Sequence, residues 1–417
     1  MIQKFIENGY KIVENHEKAD IYIINTCTVT NMSDRKSRQM LHKAKKQNPN
    51  AVVVATGCYV QTATEKVAQD LSIDLVVGNN RKKDIVEILN EYYAEKEAGE
   101  QVKEEYVIDI NHTDEYEDLE ISTVTEHTRA HLKIQDGCNN FCSYCIIPYA
   151  RGRIRSRTME SIKAELERLS ASGFKEIVLT GINLSCYDDN GKKLIDVIEM
   201  ADNVNGIERI RLGSLDPEVV TEDFVERLGK VKKICPHFHF SLQSGCDKTL
   251  KAMNRHYTSD EYYEKCQLIR KYIDNPAFTT DVIVGFPGET EEDYISSREF
   301  VKKVKFAELH VFKYSKRDGT VAAKMPNQID EKIKTLRSED LIKTGEELTK
   351  EFRQAKIGQD TTVLFEEKIL LDNKEYWVGH TADYIKIAVP EKENLEGQIR
   401  KVNVKDFLTN EIMLATM

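Results

Sequence analysis

Short, wholly apolar runs punctuate the first ninety residues. Ile21-Tyr-Ile-Ile, Val52-Val-Val-Ala and Leu75-Val-Val do not alternate with polar residues, and helically spaced stretches separate them. Unalternating runs of this length are what parallel strands buried on both faces require. The pattern to about residue 90 therefore predicts a doubly wound α/β domain. From about 126 to 352 a strand-then-helix unit recurs. Its strands are expected near His131-Leu-Lys-Ile, Glu176-Ile-Val-Leu, Arg209-Ile-Arg-Leu, His237-Phe-His-Phe, Thr280-Asp-Val-Ile-Val and Leu309-His-Val-Phe. Six such units predict an open, partial (β/α)6 barrel, whose chemistry belongs at the C-terminal ends of the strands. Residues 353 to 417 are β-rich, with short runs at Thr362-Val-Leu-Phe, Tyr376-Trp-Val-Gly, Tyr384-Ile-Lys-Ile-Ala-Val and Val402-Asn-Val. They predict a small β-barrel of OB-like size. Between the first two regions, residues 91–125 read as a helix fraying into a solvated acidic connector.

Charge changes this picture only through its distribution. The chain sums to −10, yet residues 91–125 alone carry twelve Asp/Glu against two Lys, so the remainder is neutral. Residues 1–90 are mildly basic, with thirteen Lys/Arg against ten Asp/Glu. The overall acidity thus excludes no nucleic-acid partner. No apolar run approaches the ~18 residues of a membrane-spanning helix. Mean hydropathy is −0.50. The opening Met1-Ile-Gln-Lys-Phe-Ile-Glu lacks a secretory core. A cytoplasmic protein without a membrane partner is expected. In a reducing compartment, nine cysteines point to metal or cluster ligation rather than disulfides.

Three of them follow the first barrel strand closely, in Asp136-Gly-Cys138-Asn-Asn-Phe-Cys142-Ser-Tyr-Cys145. Three thiolates in C-x-x-x-C-x-x-C spacing can hold three corners of an iron–sulfur cubane and leave its fourth iron open. Structural zinc is the plainer alternative, but it needs a fourth ligand, for which Cys186 or His127 would have to fold in.

At these residues the chain resembles the radical S-adenosylmethionine (SAM) superfamily, and its flanks resemble the methylthiotransferases within it. The matching stretches are Asn25-Thr-Cys27-Thr-Val-Thr, Thr56-Gly-Cys58, Leu179-Thr-Gly-Ile-Asn183, Gln243-Ser-Gly-Cys and Gly285-Phe-Pro-Gly-Glu-Thr290. The last region resembles the TRAM RNA-binding module. Cys145-Ile-Ile-Pro-Tyr-Ala-Arg-Gly-Arg and His310-Val-Phe-Lys-Tyr-Ser-Lys-Arg resemble most the branch acting on threonylcarbamoyladenosine in tRNA. Members for isopentenylated adenosine or a ribosomal-protein aspartate share the clusters. A non-catalytic iron–sulfur RNA-binding protein is the alternative from another class.

The resemblance implies that Cys138, Cys142 and Cys145 are catalytic and hold a 4Fe–4S cluster that cleaves SAM reductively. A second cluster then supplies sulfur. It further implies a tRNA anticodon stem-loop as partner and an electron donor such as flavodoxin or ferredoxin. Cys27 and Cys58, just beyond two predicted parallel strands, match the second cluster's motifs, although a lone cysteine at such a place is more often a small buried hydrophobe. Tyr144, Thr180, Gly181, Asn183, Ser214, Gln243 and Arg255 match cofactor-pocket positions; local packing and turn formation are the rival readings. Gly181 and Gly285 would admit close backbone approach. Cys186, Cys235, Cys246 and Cys266 match no cluster motif and stand as ordinary thiols.

Arg151, Arg153, Arg155 and Arg157 alternate directly after the cysteine loop. They suit either phosphate contacts or pairing with acidic groups. Arg35, Arg38, Lys43, Lys45 and Lys46 make a basic helix, which is either a solvated face or an RNA contact. The C-terminal module is not basic, with nine Lys/Arg against eleven Asp/Glu. Its Tyr376, Trp377 and Tyr384 suit base stacking or core packing. Finally, the resemblance implies three cysteines for the second cluster, the first in a turn after an opening strand. Here Ile2, Phe5, Ile6, Tyr10, Ile12 and Val13 suit a helix running into a strand instead. The expectation is an N-terminal truncation of roughly twenty residues, one strand and its turn. SAM cleavage would then survive while thiolation fails.

Overall fold

The computed structural model describes residues 1–14, 16–99, 102, 104–118, 128–390 and 393–417. His127 and parts of the acidic stretch lie outside the described residues. The chain forms two compact units. One gathers residues 1–122, 136–157 and 315–324; the other holds residues 123–135, 158–314 and 325–417.

The first unit is built on a parallel sheet whose strands lie in sequence order: β1 (Ile21–Thr26), β2 (Val52–Gly57), β3 (Leu75–Val77) and β4 (Glu105–Tyr106). β2 is buried along its whole length, as its unbroken apolar run requires. Its residues divide between two cores. Val52 and Val54 face Leu75, Ile85 and Leu89, while Val53 and Ala55 face Leu41 and Val60. A helix does form over Ile2–Glu7, burying Phe5. The acidic stretch behaves differently from expectation. The helix Ile85–Ala98 stops at Gly99, whose left-handed φ of 70° closes its C-terminus. The chain then returns as β4, which pairs with β3 and buries Tyr106. A two-residue strand is too short to leave a periodic trace along the chain.

In the second unit six parallel strands follow one another in space as in sequence: β5 (Arg129–Lys133), β6 (Glu176–Thr180), β7 (Arg209–Leu212), β8 (His237–His239), β9 (Ala277–Val284) and β10 (Glu308–Lys313). Bridges Ile210–Ile234 and Leu215–Phe240 join the two halves. All six strands fall where the apolar runs predict them. Their outward residues, among them Leu132, Ile177, Ile210, Phe238, Phe278 and Val282, share one core with residues from the flanking helices.

A 24-residue helix, Glu331–Gln354, leads to the C-terminal module. There β11 (Asp360–Leu371), β12 (Lys374–Thr381), β13 (Lys386–Val389), β14 (Ile399–Phe407) and β15 (Met413–Thr416) close a barrel in the order β11-β12-β13-β15-β14. The fifth strand is an addition to the four expected. Trp377 and Tyr376 are buried in this module's apolar clusters, so both serve packing rather than base stacking. Tyr384 lies between the His380 ring, 4.7 Å away, and the guanidinium groups of Arg129 and Arg211. Tyr384 nonetheless stays exposed to solvent. Arg209 and Arg211 anchor the module to the parallel barrel by donating to the carbonyls of Thr362, His380, Thr381 and Ala382 at 2.7–3.2 Å. Buried Glu176 accepts from Arg211 at 2.7 Å and lies 3.4 Å from Arg209.

Candidate functional site

Cys27 and Cys58 occupy matching places in the first unit. Thr26 and Gly57 are register partners at the ends of β1 and β2, and each cysteine comes next in the chain. Both therefore sit at the carboxyl edge of the sheet, where doubly wound folds bind ligands. Gly57 makes the second turn possible. Its φ of 99° and ψ of −163° suit glycine alone, and a Cβ there would stand 2.8 Å from Thr26 N. Cys27 is exposed, while Cys58 is buried.

Cys58 is not a lone thiol. Arg151 Nε lies 3.0 Å from its Sγ, and Asn79 Nδ2 lies at 3.7 Å. Asn79 also donates to the Ala150 carbonyl at 2.7 Å. Arg151 pairs with Asp136 at 3.5 Å as well. Burial pushes its guanidinium pKa down, but the charges of Cys58 and Asp136 outweigh that and hold it above its ordinary value. A cationic donor thus faces the sulfur from the segment that follows the three-cysteine loop.

That loop belongs to the same unit. Gly137, at φ 74°, would press any Cβ into the Arg153 carbonyl, so only glycine lets the chain turn into Cys138. Cys138 N donates to Gly152 O at 3.1 Å, and Cys145 N to Cys142 O at 2.9 Å. The amide of Asn140 points at Cys138 Sγ from 3.5 Å, the kind of donor that tunes cluster sulfurs. Ala322 N donates to Ser143 O at 2.7 Å, tying the segment 315–324 to the loop. From that segment Arg317 reaches Thr28, Asp34 and Asn31 beside Cys27. Sequence reasoning used Arg317 only as a motif residue. Asn79 and Asp136 carried no signal as partners, because their roles exist only once distant segments meet.

The donor set fits a cubane. None of the three is in a disulfide, and all are partly accessible. Three thiolates leave a tetrahedral structural zinc site one ligand short. Of the proposed fourth zinc ligands, Cys186 belongs to the second unit and His127 is outside the described residues.

The alternating arginines divide. Arg155 and Arg157 are buried, Arg157 Nε pairing with Asp118 at 3.0 Å and Arg155 approaching Asp136 at 3.9 Å. Arg153 alone is exposed, with its guanidinium 4.8 Å above the Phe141 ring. Acid pairing therefore accounts for Arg151, Arg155 and Arg157. On the basic helix Asn31–Gln47, Lys45 pairs with Asp74 and Arg38 bonds the Tyr59 hydroxyl. Arg35, Lys43 and Lys46 remain at the surface. Tyr144 is half-buried.

In the second unit, the remaining predicted residues do gather at strand ends. Thr180 ends β6, and its carbonyl accepts from Ile134 N at 2.9 Å. The Gly181 Cα faces Gln135, which leaves about 3.0 Å for any added Cβ. Gln135 Oε1 also accepts the Asn183 amide at 2.8 Å, and Asn183 Oδ1 caps the turn by accepting from Ser185 N. The Asn183 side chain is thus engaged as a turn residue. Ser214 is exposed and bonds Ser241 Oγ at 2.8 Å. Gln243 takes a left-handed φ of 67° while bridging to Val282 of β9. Arg255 pairs with buried Asp216 at 2.6 Å. In the Gly285–Thr290 segment, Glu289 accepts from Gly285 N at 2.8 Å and from Arg337 at 2.6 Å. What approaches Gly285 closely is the Lys334 side chain. Cys235, Cys246 and Cys266 are buried, as ordinary thiols are.

Comparison with known proteins agrees with this geometry. Residues 132–301 match the model of the radical SAM superfamily, and residues 1–78 match the uncharacterized protein family UPF0004. The threonylcarbamoyladenosine tRNA methylthiotransferase MtaB of Bacillus subtilis is 40% identical over 408 residues, 96% of this chain and 89% of that protein. The Aquifex aeolicus MtaB is 40% identical over 89% of this chain and 90% of its own length. A tRNA-2-methylthio-N(6)-dimethylallyladenosine synthase of Pelotomaculum thermopropionicum is 35% identical over 86% and 81%. Among solved structures, the radical SAM methyltransferase TsrM of Kitasatospora setae superposes with a TM-score of 0.55 at 17% identity. The match covers 71% of this chain and 62% of TsrM, a likeness of fold. On the strength of these full-length relatives, the chain belongs to the radical SAM tRNA methylthiotransferases, enzymes that use a 4Fe–4S cluster and SAM.

Proposed function

We propose that this enzyme adds a methylthio group to the threonylcarbamoylated adenosine next to the anticodon of tRNA, with SAM as radical source and methyl donor. The substrate reading rests on the 40% identity to threonylcarbamoyladenosine tRNA methylthiotransferases over most of the chain, and the two-cluster reading on the 3.0 Å contact of Arg151 with Cys58. That contact binds the segment after Cys138, Cys142 and Cys145 to the sheet edge bearing Cys27 and Cys58. Sulfur insertion needs both cysteine sets in one compact body, and one unit holds all five. Cys138, Cys142 and Cys145 would hold the SAM-cleaving cluster, and Cys27 and Cys58 the sulfur-supplying one. Bound there, the clusters would supply one-electron cleavage of SAM and the transferred sulfur.

The chain's own residues do the rest. Gly137 and Gly57 set the turns that present the ligands. Arg151 and Asn79 fix the Cys58 sulfur, and Arg317 fixes the chain beside Cys27. Thr180, Gly181, Asn183, Ser214, Gln243 and Arg255 line the strand ends where SAM would bind. An adenosine in a loop is unstacked enough to enter such a site, unlike one in a stem. On this reading the substrate is an anticodon stem-loop, the electron donor a small flavodoxin or ferredoxin, and the compartment the cytoplasm.

Nucleoside analysis of tRNA from a strain lacking the gene tests the reading. The methylthio group should vanish from threonylcarbamoyladenosine and stay on isopentenyladenosine, and the reverse result refutes it. Cys142→Ala should abolish SAM cleavage. Cys58→Ala should keep cleavage and lose thiolation.

A further inference from the structure

We propose that His239, Asp281 and His310 form a binding site for a divalent transition-metal ion in the lumen of the parallel barrel, separate from the cysteine ligands. The three residues come from adjacent strands β8, β9 and β10. His239 pairs in register with Thr279, and Asp281 with His310. Alternation fixes their direction. Phe238, Phe278, Val282, Leu309 and Val311 turn outward into the helix-covered core, so their neighbours His239, Asp281 and His310 turn inward.

The ligand atoms of the three side chains all lie within 4.8 Å of one another. His239 Nε2 stands 3.5 Å from Asp281 Oδ2, too far for a good hydrogen bond and close to the edge of a metal coordination sphere. The His310 ring lies over the His239 ring, with centroids 5.8 Å apart and planes at 28°. The other nitrogen of His239, Nδ1, bonds Thr279 Oγ1 at 3.0 Å. A metal-bound histidine characteristically engages its far nitrogen in this way, which fixes its tautomer and ring plane. In the tautomer whose Nδ1–H donates to Thr279, the Nε2 lone pair faces a carboxylate oxygen, an opposition that a bound cation would satisfy.

Among the described residues no side chain supplies that cation. The Asp281 carboxylate meets only His239 among the described residues. The nearby guanidinium of Arg211 is spent on Glu176 and two carbonyls. Two imidazoles and one carboxylate on one side of an ion suit zinc or ferrous iron and leave the remaining positions open to water or an oxygen ligand. The site is reachable, since Asp281 is one-third exposed and His310 is open to solvent.

The test uses the full chain with its iron–sulfur clusters loaded, so that the cysteines are occupied. Zinc chloride alone is titrated in, excess is dialysed away, and metal is counted by mass spectrometry. Absorption at the zinc K-edge then reads the donors without interference from iron. The expected result is about one zinc per chain with nitrogen and oxygen donors near 2.0–2.2 Å. His310→Gln, a change at an exposed position, and Asp281→Asn should each abolish retention. Thr279→Val should weaken affinity by about 10–100-fold through the freed His239 ring. No retained zinc, sulfur donors at the edge, or retention unchanged in His310→Gln and Asp281→Asn overturns the proposal.

Discussion

Gly57→Ala should damage the fold and the chemistry together. The backbone at Gly57, φ 99° and ψ −163°, lies in a region that alanine enters at a cost of about 1–3 kcal/mol. Sterics add to this. The new Cβ would stand 2.7 Å from Asn25 Oδ1 and 2.8 Å from Thr26 N, and nearer still to Thr26 O. Two of these neighbours are backbone atoms of the paired strand β1, so no rotamer change relieves them. The sheet must part at its carboxyl edge, which puts the total toward the upper end, about 3 kcal/mol. In a unit of about 150 residues each kcal/mol lowers the melting temperature by about 2–4 °C. A fall of about 6–12 °C is therefore expected in calorimetry. Because Cys58 is the next residue, thiolation should fall as well while SAM cleavage persists. Cys58→Ser, which leaves the turn intact, separates the effects by losing thiolation without the drop in melting temperature. A Gly57→Ala enzyme with wild-type melting and wild-type thiolation would falsify the reasoning.

Glu176→Gln should destabilise the second unit by about 3–5 kcal/mol in urea unfolding, because it removes the carboxylate that pairs with buried Arg209 and Arg211; a loss below about 1 kcal/mol would contradict that. Burial pushes the Cys235 and Cys266 thiols up to about 12, so at pH 8 only about one in ten thousand is ionised and iodoacetamide should spare both until urea unfolds the chain. Their raised folded-state pKa means the folded protein holds protons that the unfolded chain releases, so their contribution to stability should fall as pH climbs above about 9. A flat alkaline limb in a denaturation series, or native labelling of either thiol, would count against it.

The large elements were legible because they repeat a physical pattern. The unalternating runs at Val52 and Leu75 marked buried parallel strands, while the barrel strands, several of them alternating as in His237-Phe-His-Phe, were marked by the recurring strand-then-helix unit. The cysteine spacing was legible because a cubane needs several thiolates close together. Partnerships between distant segments were not. Nothing local announces that Arg151 will face Cys58, or that Arg157 will pair with Asp118 instead of a phosphate. Tyr376 and Trp377 illustrate the same blindness, since an aromatic residue on a short strand has the same sequence signature whether it faces a core or a ligand. Asn183 matched a pocket motif, yet its side chain caps its own turn.

The first unit is sewn from three separated stretches, the last of them residues 315–324. On the ribosome, Cys58 emerges about 270 residues before that stretch does. At about 5–20 residues per second, this leaves an interval of about 13–53 s in which the sheet edge lacks Arg317 and the cysteine loop lacks the Ala322 bond. During that interval Cys27 and Cys58 are nascent thiols without their finished surroundings. On the proposed role of these cysteines, cluster delivery is expected to follow synthesis of residue 324, and a stalled nascent chain would expose its cysteines to oxidants before their surroundings are complete.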